Sequence, residues 1–99
     1  MRTQKAIFLD RDGTLIEEVG HLHRTEDIAI YPEAFAAVRK INQSGALAIV
    51  ITNQSAIARG LLDDKELAEL HGFLQEEFRR KEARIDAFYY CPHHPEAGT

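Results

Sequence analysis

Short apolar runs alternate with amphipathic stretches along the chain. Residues Ala6 to Leu9 form a continuous apolar run that ends at a polar turn, and Ala46 to Ile51 form a second run. A third apolar stretch, Ile85 to Cys91, ends at Pro92. Apolar runs of about four to eight residues that end at turn formers are typical of buried parallel strands, so we expect three such strands.

Two stretches between these runs carry helical signals. Pro32 is suited to the first turn of a helix, and Gly45 is suited to its carboxyl-terminal cap. Asp63 and Glu66 have the spacing of a capping box at the start of a second helix. The apolar positions at helical spacing are Ala34, Phe35, Val38 and Ile41 in the first helix and Leu67, Leu70, Leu74 and Phe78 in the second.

The order strand, helix, strand, helix, strand predicts an α/β fold with a parallel sheet and right-handed crossovers. Ligands of open parallel sheets bind beyond the carboxyl ends of the strands. Polar clusters at residues 10–14, 52–55 and 91–94 each follow a predicted strand. We therefore expect a functional site at this edge of the sheet, next to the long irregular segment between residues 13 and 31.

Composition narrows the class of protein. The 99 residues are 44% hydrophobic and 28% charged, which fits one small globular domain over residues 1–99. The net charge of −4 argues against a nucleic-acid partner, and the single cysteine excludes an internal disulfide framework. No apolar run approaches the roughly 18 residues of a membrane span, and the amino terminus lacks the shape of a signal peptide. We expect a cytoplasmic protein without a membrane partner.

Asp10 and Asp12 are the main candidates for chemistry. They lie two positions apart at a strand end, and Gly13 lets the chain turn sharply beside them. Two neighbouring carboxylates divide their roles when one stays ionised, as a nucleophile or metal ligand, and the other holds a proton. A carboxylate that attacks phosphorus needs a hard divalent cation such as Mg²⁺ beside it. The alternative is a solvated turn, since Asp and Gly often follow strands for conformational reasons.

The sequence Phe-Leu-Asp-Arg-Asp-Gly-Thr-Leu at residues 8–15 resembles motif I of the haloacid-dehalogenase phosphatase superfamily. Ile-Thr-Asn-Gln-Ser at residues 51–55 resembles its motif II. Residues 52–60 and 89–95 are similar to the subgroup that contains heptose 1,7-bisphosphate 7-phosphatases and histidinol-phosphate phosphatases. This resemblance implies a three-layer, Rossmann-like parallel sheet.

The resemblance also implies a reaction. Asp10 is then the nucleophile and a Mg²⁺ ligand, and Asp12 is the acid and base whose backbone carbonyl also binds Mg²⁺. The enzyme hydrolyses a small phosphate ester through an aspartyl-phosphate. The favoured substrate is D-glycero-D-manno-heptose 1,7-bisphosphate, a precursor of lipopolysaccharide, and histidinol phosphate is the competing one.

Further roles follow from the same resemblance. Thr52 donates a hydrogen bond to the phosphoryl group, and Arg59 contacts a sugar hydroxyl or a second phosphate. Otherwise, Thr52 is simply a β-branched residue at a strand end, and Arg59 is a surface arginine. The remaining residues implied to bind substrate are Glu18, Val19, Gly20, His21, Asn53, Gln54 and Ser55.

Cys91 and His93 resemble the first half of the subgroup's structural zinc site. The family supplies the other two ligands from a later Cys-x-Cys, and this sequence has no second cysteine. The alternative is a proline-rich turn with exposed histidines. His71, next to Leu70 in the second predicted helix, is expected at the surface or at its boundary.

The sequence departs from the family in lacking its motif III lysine and its motif IV aspartates on a fourth strand. In the family the first strand lies inside the sheet, so here we expect an incomplete sheet with Ala6 to Leu9 as an exposed apolar edge. We expect the amino-terminal part of a longer phosphatase, a gene fragment or half of a split protein, with little turnover by itself. A non-catalytic phosphate-binding or assembly module, pairing through that edge, is the alternative. A receiver-type phospho-acceptor domain fits poorly. In such a domain the acceptor aspartate follows the third strand, and in this sequence Cys91 occupies that position.

Overall fold

Within the residues that the structure describes, three strands alternate with two α-helices. The computed structural model describes residues 4–19, 22, 24–53, 60 and 62–91. The elements are β1 (Ala6–Asp10), α1 (Pro32–Gln43), β2 (Leu47–Asn53), α2 (Asp64–Arg80) and β3 (Ala87–Cys91), with a short 3-10 helix at Thr25–Asp27. The strands form one parallel sheet in the order β1-β2-β3. The predicted α/β fold is confirmed.

The ends of the helices follow their sequence signals. Pro32 occupies the first turn of α1, and Gly45, just beyond its carboxyl end, has φ of +86°, a conformation that glycine adopts without strain. At α2, the Asp63 carboxylate accepts from the Glu66 backbone N–H at 2.7 Å, and the Glu66 carboxylate accepts from the Asp63 N–H at 3.0 Å. The capping box is confirmed. No helix in the described part of the chain is both long and apolar enough to cross a membrane.

Both helices cover the same face of the sheet. Val38 of α1 and Phe78 of α2 belong to one buried cluster with Ala48 and Val50 of β2. The ring of Phe35 on α1 lies 4.8 Å from that of Phe78, so the two helices also contact each other. Two right-handed crossovers between neighbouring strands in sequence order place both helices on one side. The described residues therefore form two layers of the three that the resemblance implies.

The opposite face of the sheet is open. Phe8 of β1 and Tyr89 of β3 are 61% and 60% exposed, and Ile51 of β2 between them is 39% exposed. Register places Asp10, Ile51 and Tyr89 in one row across the three strands, whereas Phe8 pairs with Ile49, two residues earlier along the strands and on the same face. Phe8, Ile51 and Tyr89 therefore present exposed apolar side chains on this face, and the exposed Asp10 lies in the same row as Ile51 and Tyr89.

The expectation that Ala6 to Leu9 form a buried strand is wrong. β1 pairs with β2 on one side only, and within the described residues no strand pairs with its other side. Ile7 is 41% exposed and Phe8 is 61% exposed. The departure from the family leads us to expect Ala6 to Leu9 as an exposed apolar edge. Within the described residues, β1 is such an edge.

Candidate active site

The turn after β1 fixes the backbone around the two aspartates. The Arg11 N–H donates to the Ile51 carbonyl of β2 at 3.3 Å, which extends the strand pairing past Asp10. The Arg11 carbonyl then accepts from the backbone N–H groups of Leu15 and Ile16 at 3.0 and 3.1 Å. Gly13 has φ of +82°, which only glycine adopts freely. Backbone hydrogen bonds therefore hold Asp10 and Asp12 at the carboxyl ends of β1 and β2.

The Asp12 carboxylate is held by three donors. The Arg11 guanidinium binds it in a bidentate manner, with Nη2 3.0 Å from Oδ1 and Nε 3.1 Å from Oδ2. The Thr52 hydroxyl donates to Oδ2, also at 3.1 Å. A bidentate guanidinium contact fixes the plane of a carboxylate as well as its position. The structure thus brings Asp12 together with Thr52, which lies near the carboxyl end of β2 and is the first residue of the second polar cluster.

Arg11 is buried and is held from its other side by His71. The guanidinium is almost fully buried, and its Nη1 lies 3.1 Å from His71 Nε2. A guanidinium nitrogen can only donate, so His71 Nε2 accepts and the ring carries its proton on Nδ1. Burial, with the adjacent Arg11 charge, lowers the pKa of His71 to about 4, while the Asp12 charge opposes this shift. His71 is therefore neutral near pH 7.

The prediction that His71 lies at the surface or boundary is wrong. Its side chain is buried, and its ring stacks on that of Phe88 from β3, with centroids 4.4 Å apart and planes 14° apart. The sequence carried a signal for this position, because residue 71 follows Leu67 by four positions and precedes Leu74 by three. That spacing places His71 on the buried face of α2.

Arg11 is a second residue whose burial the sequence alone does not predict. It stands between the two aspartates of motif I, where a charged side chain next to a strand end is most simply exposed. Burial of a guanidinium requires partners for its donors, and these come from Asp12 and from a helix 60 residues away in sequence. Only the folded chain shows that contact.

The other predicted site residues lie in different settings. Asp10 is exposed, at the end of β1, and Asn53, Glu18 and Val19 are exposed as well. Only the backbone of Cys91 is described, as the last residue of β3. The predicted residues outside the described part of the chain are Gly20, His21, Gln54, Ser55, Arg59 and His93.

Asp10 and Asp12 are the groups of this edge that suit a metal ion. Mg²⁺ prefers oxygen ligands and keeps several waters, so one or two carboxylates of the protein suffice to hold it. Within the described ranges, no three side chains of His, Cys, Asp or Glu converge as a metal site would require. Asp10 and Asp12 could therefore hold such a cation together with solvent or substrate oxygens.

Curated proteins of similar sequence are phosphatases by name. The chain is 36% identical over 92 residues to D-glycero-beta-D-manno-heptose-1,7-bisphosphate 7-phosphatase of Haemophilus influenzae. The aligned region covers 93% of this chain and 50% of that protein. It is 35% identical over 94 residues to the Escherichia coli K12 protein of the same name, with 95% and 49% covered. The chain spans about half the length of these relatives. No model of a protein family matches the chain.

A solved structure extends the likeness to the fold. The crystal structure of D,D-heptose 1,7-bisphosphate phosphatase from B. bronchiseptica, complexed with magnesium and phosphate, matches the chain with a TM-score of 0.88 and 29% identity. The match covers 97% of this chain and 54% of that one. The resemblance inferred from the motifs is confirmed: the chain is similar to heptose-1,7-bisphosphate 7-phosphatases over about half of their length, and its fold matches haloacid-dehalogenase-like structures.

Proposed function

We propose that residues 1–99 are part of a single hydrolase domain of a Mg²⁺-dependent phosphatase, and that they carry its nucleophile and its acid and base. The observation that supports this most directly is the turn after β1, in which exposed Asp10 precedes an Asp12 carboxylate held by Arg11 and Thr52. The names of the homologues agree with it. A bound Mg²⁺ ion would neutralise charge between the carboxylates and the phosphate, and Asp10 and the Asp12 backbone carbonyl are its proposed ligands.

Asp10 is the proposed nucleophile. Its carboxylate oxygen attacks the phosphorus atom of the ester, and the bond from phosphorus to the ester oxygen breaks as the aspartyl-phosphate forms. Its exposure at the end of β1 suits this role, because an incoming phosphate can reach it without moving buried side chains. Asp10 is also the last residue of β1, so its backbone is fixed by the pairing with Ile51.

Asp12 moves the proton in both steps. It gives a proton to the leaving ester oxygen, and then takes one from the water that attacks the aspartyl-phosphate and releases inorganic phosphate. Each carboxylate oxygen has about two acceptor sites. Oδ2 accepts from both Arg11 and Thr52, whereas Oδ1 accepts from Arg11 alone among the described donors. Oδ1 is therefore the atom that we assign to proton transfer.

The proposed substrate is D-glycero-D-manno-heptose 1,7-bisphosphate, as the names of the relatives indicate, with loss of its 7-phosphate. Histidinol phosphate is the competing substrate, and a non-catalytic phosphate-binding module is the competing class of protein. The substrate contacts of Glu18, Val19, Asn53 and Thr52 stay predictions. So do the contacts of the residues outside the described ranges, the half zinc site at Cys91 and His93, and the cytoplasmic location.

A single-turnover assay tests the proposal. The chain is mixed in excess with each phosphate ester, and phosphate release is followed with Mg²⁺ or with EDTA, beside Asp10→Asn and the control Asp27→Asn in the distant 3-10 helix. We expect Mg²⁺-dependent release from the heptose 7-phosphate that falls by about a thousandfold or more in Asp10→Asn and is unchanged in Asp27→Asn.

Three other outcomes of this assay would each lead to a different conclusion. Equal release by the wild type and Asp10→Asn would refute the assignment of the nucleophile. Faster release from histidinol phosphate would favour the competing substrate. Mg²⁺-dependent binding of inorganic phosphate without any release from either ester would favour the non-catalytic module.

A further inference from the structure

The buried imidazole of His71 lies behind the Arg11 guanidinium, on the side away from the Asp12 carboxylate. It reaches the site through one contact, the hydrogen bond to Arg11 Nη1. Its ring is fixed by the stack on Phe88 and by the buried face of α2 around it. A fixed neutral acceptor in a buried setting can fix the orientation of the donor that it binds.

The Arg11 guanidinium connects this acceptor to Asp12. All three of its nitrogens are engaged: Nη1 with His71, and Nε and Nη2 with the two oxygens of the Asp12 carboxylate. The guanidinium is planar and rigid, so an anchor at Nη1 also sets the directions of the other two nitrogens. The contact at Nη1 therefore links the His71 ring to the plane in which Arg11 holds the Asp12 carboxylate.

We propose that His71 is a positioning residue that acts through Arg11 and holds the Asp12 carboxylate with Oδ1 turned to the site. This inference rests on the proposed function for its consequence, since the oriented oxygen is the one assigned to proton transfer. The contacts themselves do not depend on the reaction. Without an acceptor at residue 71, Nη1 would be a buried donor without a partner, and the guanidinium would turn to find one.

Three variants separate this role from simple packing. His71→Leu keeps an apolar side chain in the core but removes the acceptor. His71→Gln offers an amide oxygen that can accept from Nη1 and is expected to restore the contact. Leu74→Val, one turn further along the buried face of α2, is the control, because it trims the same core without touching Arg11.

The readout is the hydrogen-exchange rate of the Arg11 Nε–H, measured by nitrogen-15 NMR on the 99-residue chain. We expect slow exchange in the wild type, in His71→Gln and in Leu74→Val, and exchange faster by about tenfold or more in His71→Leu. Wild-type exchange in His71→Leu, or an equal increase in Leu74→Val, would overturn the proposal.

A second measurement needs no variant and covers the case in which His71→Leu fails to fold. The nitrogen-15 shifts of the wild-type His71 ring should show the proton on Nδ1 and an unprotonated Nε2. A proton on Nε2 would overturn the proposal, because that nitrogen could not then accept from Arg11. Failure of Asp10 in the single-turnover assay would refute the proposed function and leave both NMR results intact, so the two failures are distinguishable.

Discussion

Acidification should destabilise the folded chain through His71, by an amount that the structure sets. The pKa of this group falls from 6.5 to about 4 in the folded state because the ring is buried beside the Arg11 charge. Between these values the unfolded chain binds a proton that the folded chain does not bind, so the free energy of unfolding decreases as the pH falls. The loss assigned to this one group is about 2 kcal/mol at pH 5 and about 3 kcal/mol at pH 4.

Urea unfolding, followed by circular dichroism from pH 7.5 to pH 4, measures this loss. His71→Gln is the reference, since glutamine does not titrate and every other histidine and carboxylate is shared by both proteins. We expect the free energy of unfolding of the wild type to fall relative to that of the variant, almost entirely between pH 6.5 and pH 4. A difference between the two proteins that stays constant over this range would refute the burial and the neutral state assigned to the ring.

Two further pairs of variants test the turn and its contacts. Thr52→Val removes the hydroxyl that donates to Asp12 and should lower the free energy of unfolding by about 1–2 kcal/mol, whereas Thr14→Val, at an exposed position, should change it by less than about 0.5 kcal/mol. Equal effects in urea unfolding would contradict the Thr52 contact. Gly13→Ala should lower the melting temperature, since positive φ costs alanine about 1–2 kcal/mol, whereas Gly72→Ala in α2 should raise it, because its Cβ meets open space and alanine favours helix by about 1 kcal/mol. A higher melting temperature in Gly13→Ala would show that this turn is not as described.

Local signals in the sequence predict most of the fold. The capping box at Asp63 and the proline at the start of α1 mark both helix starts, because they act through hydrogen bonds and dihedral angles within one turn. The polar residues at the carboxyl ends of β1 and β2 predict the edge at which Asp12 and Thr52 meet. Parallel strands bring their carboxyl ends to a common edge whatever the details of packing.

The contact between Arg11 and His71 depends on how α2 packs against the turn after β1. Neighbouring residues in the sequence do not predict that packing. Arg11 looks like an exposed residue of a turn, and its burial depends on an acceptor that α2 brings from far along the chain. The exposure of Phe8 has a related cause. Its apolar run alone indicates a buried strand, but burial of the side chain requires a layer over its face of the sheet as well as a strand on the second edge of β1, and the described residues supply neither.

We propose that Asp10 accepts a phosphoryl group while Asp12, held by Arg11 and Thr52, moves the proton. A crystal of the chain soaked with magnesium and beryllofluoride, a mimic of the phosphoryl group, tests this most directly. We predict density for the mimic bonded to a carboxylate oxygen of Asp10, with the cation between it and the Asp12 carbonyl. An unmodified Asp10 carboxylate turned away from Thr52, at saturating concentrations of both reagents, would contradict the account.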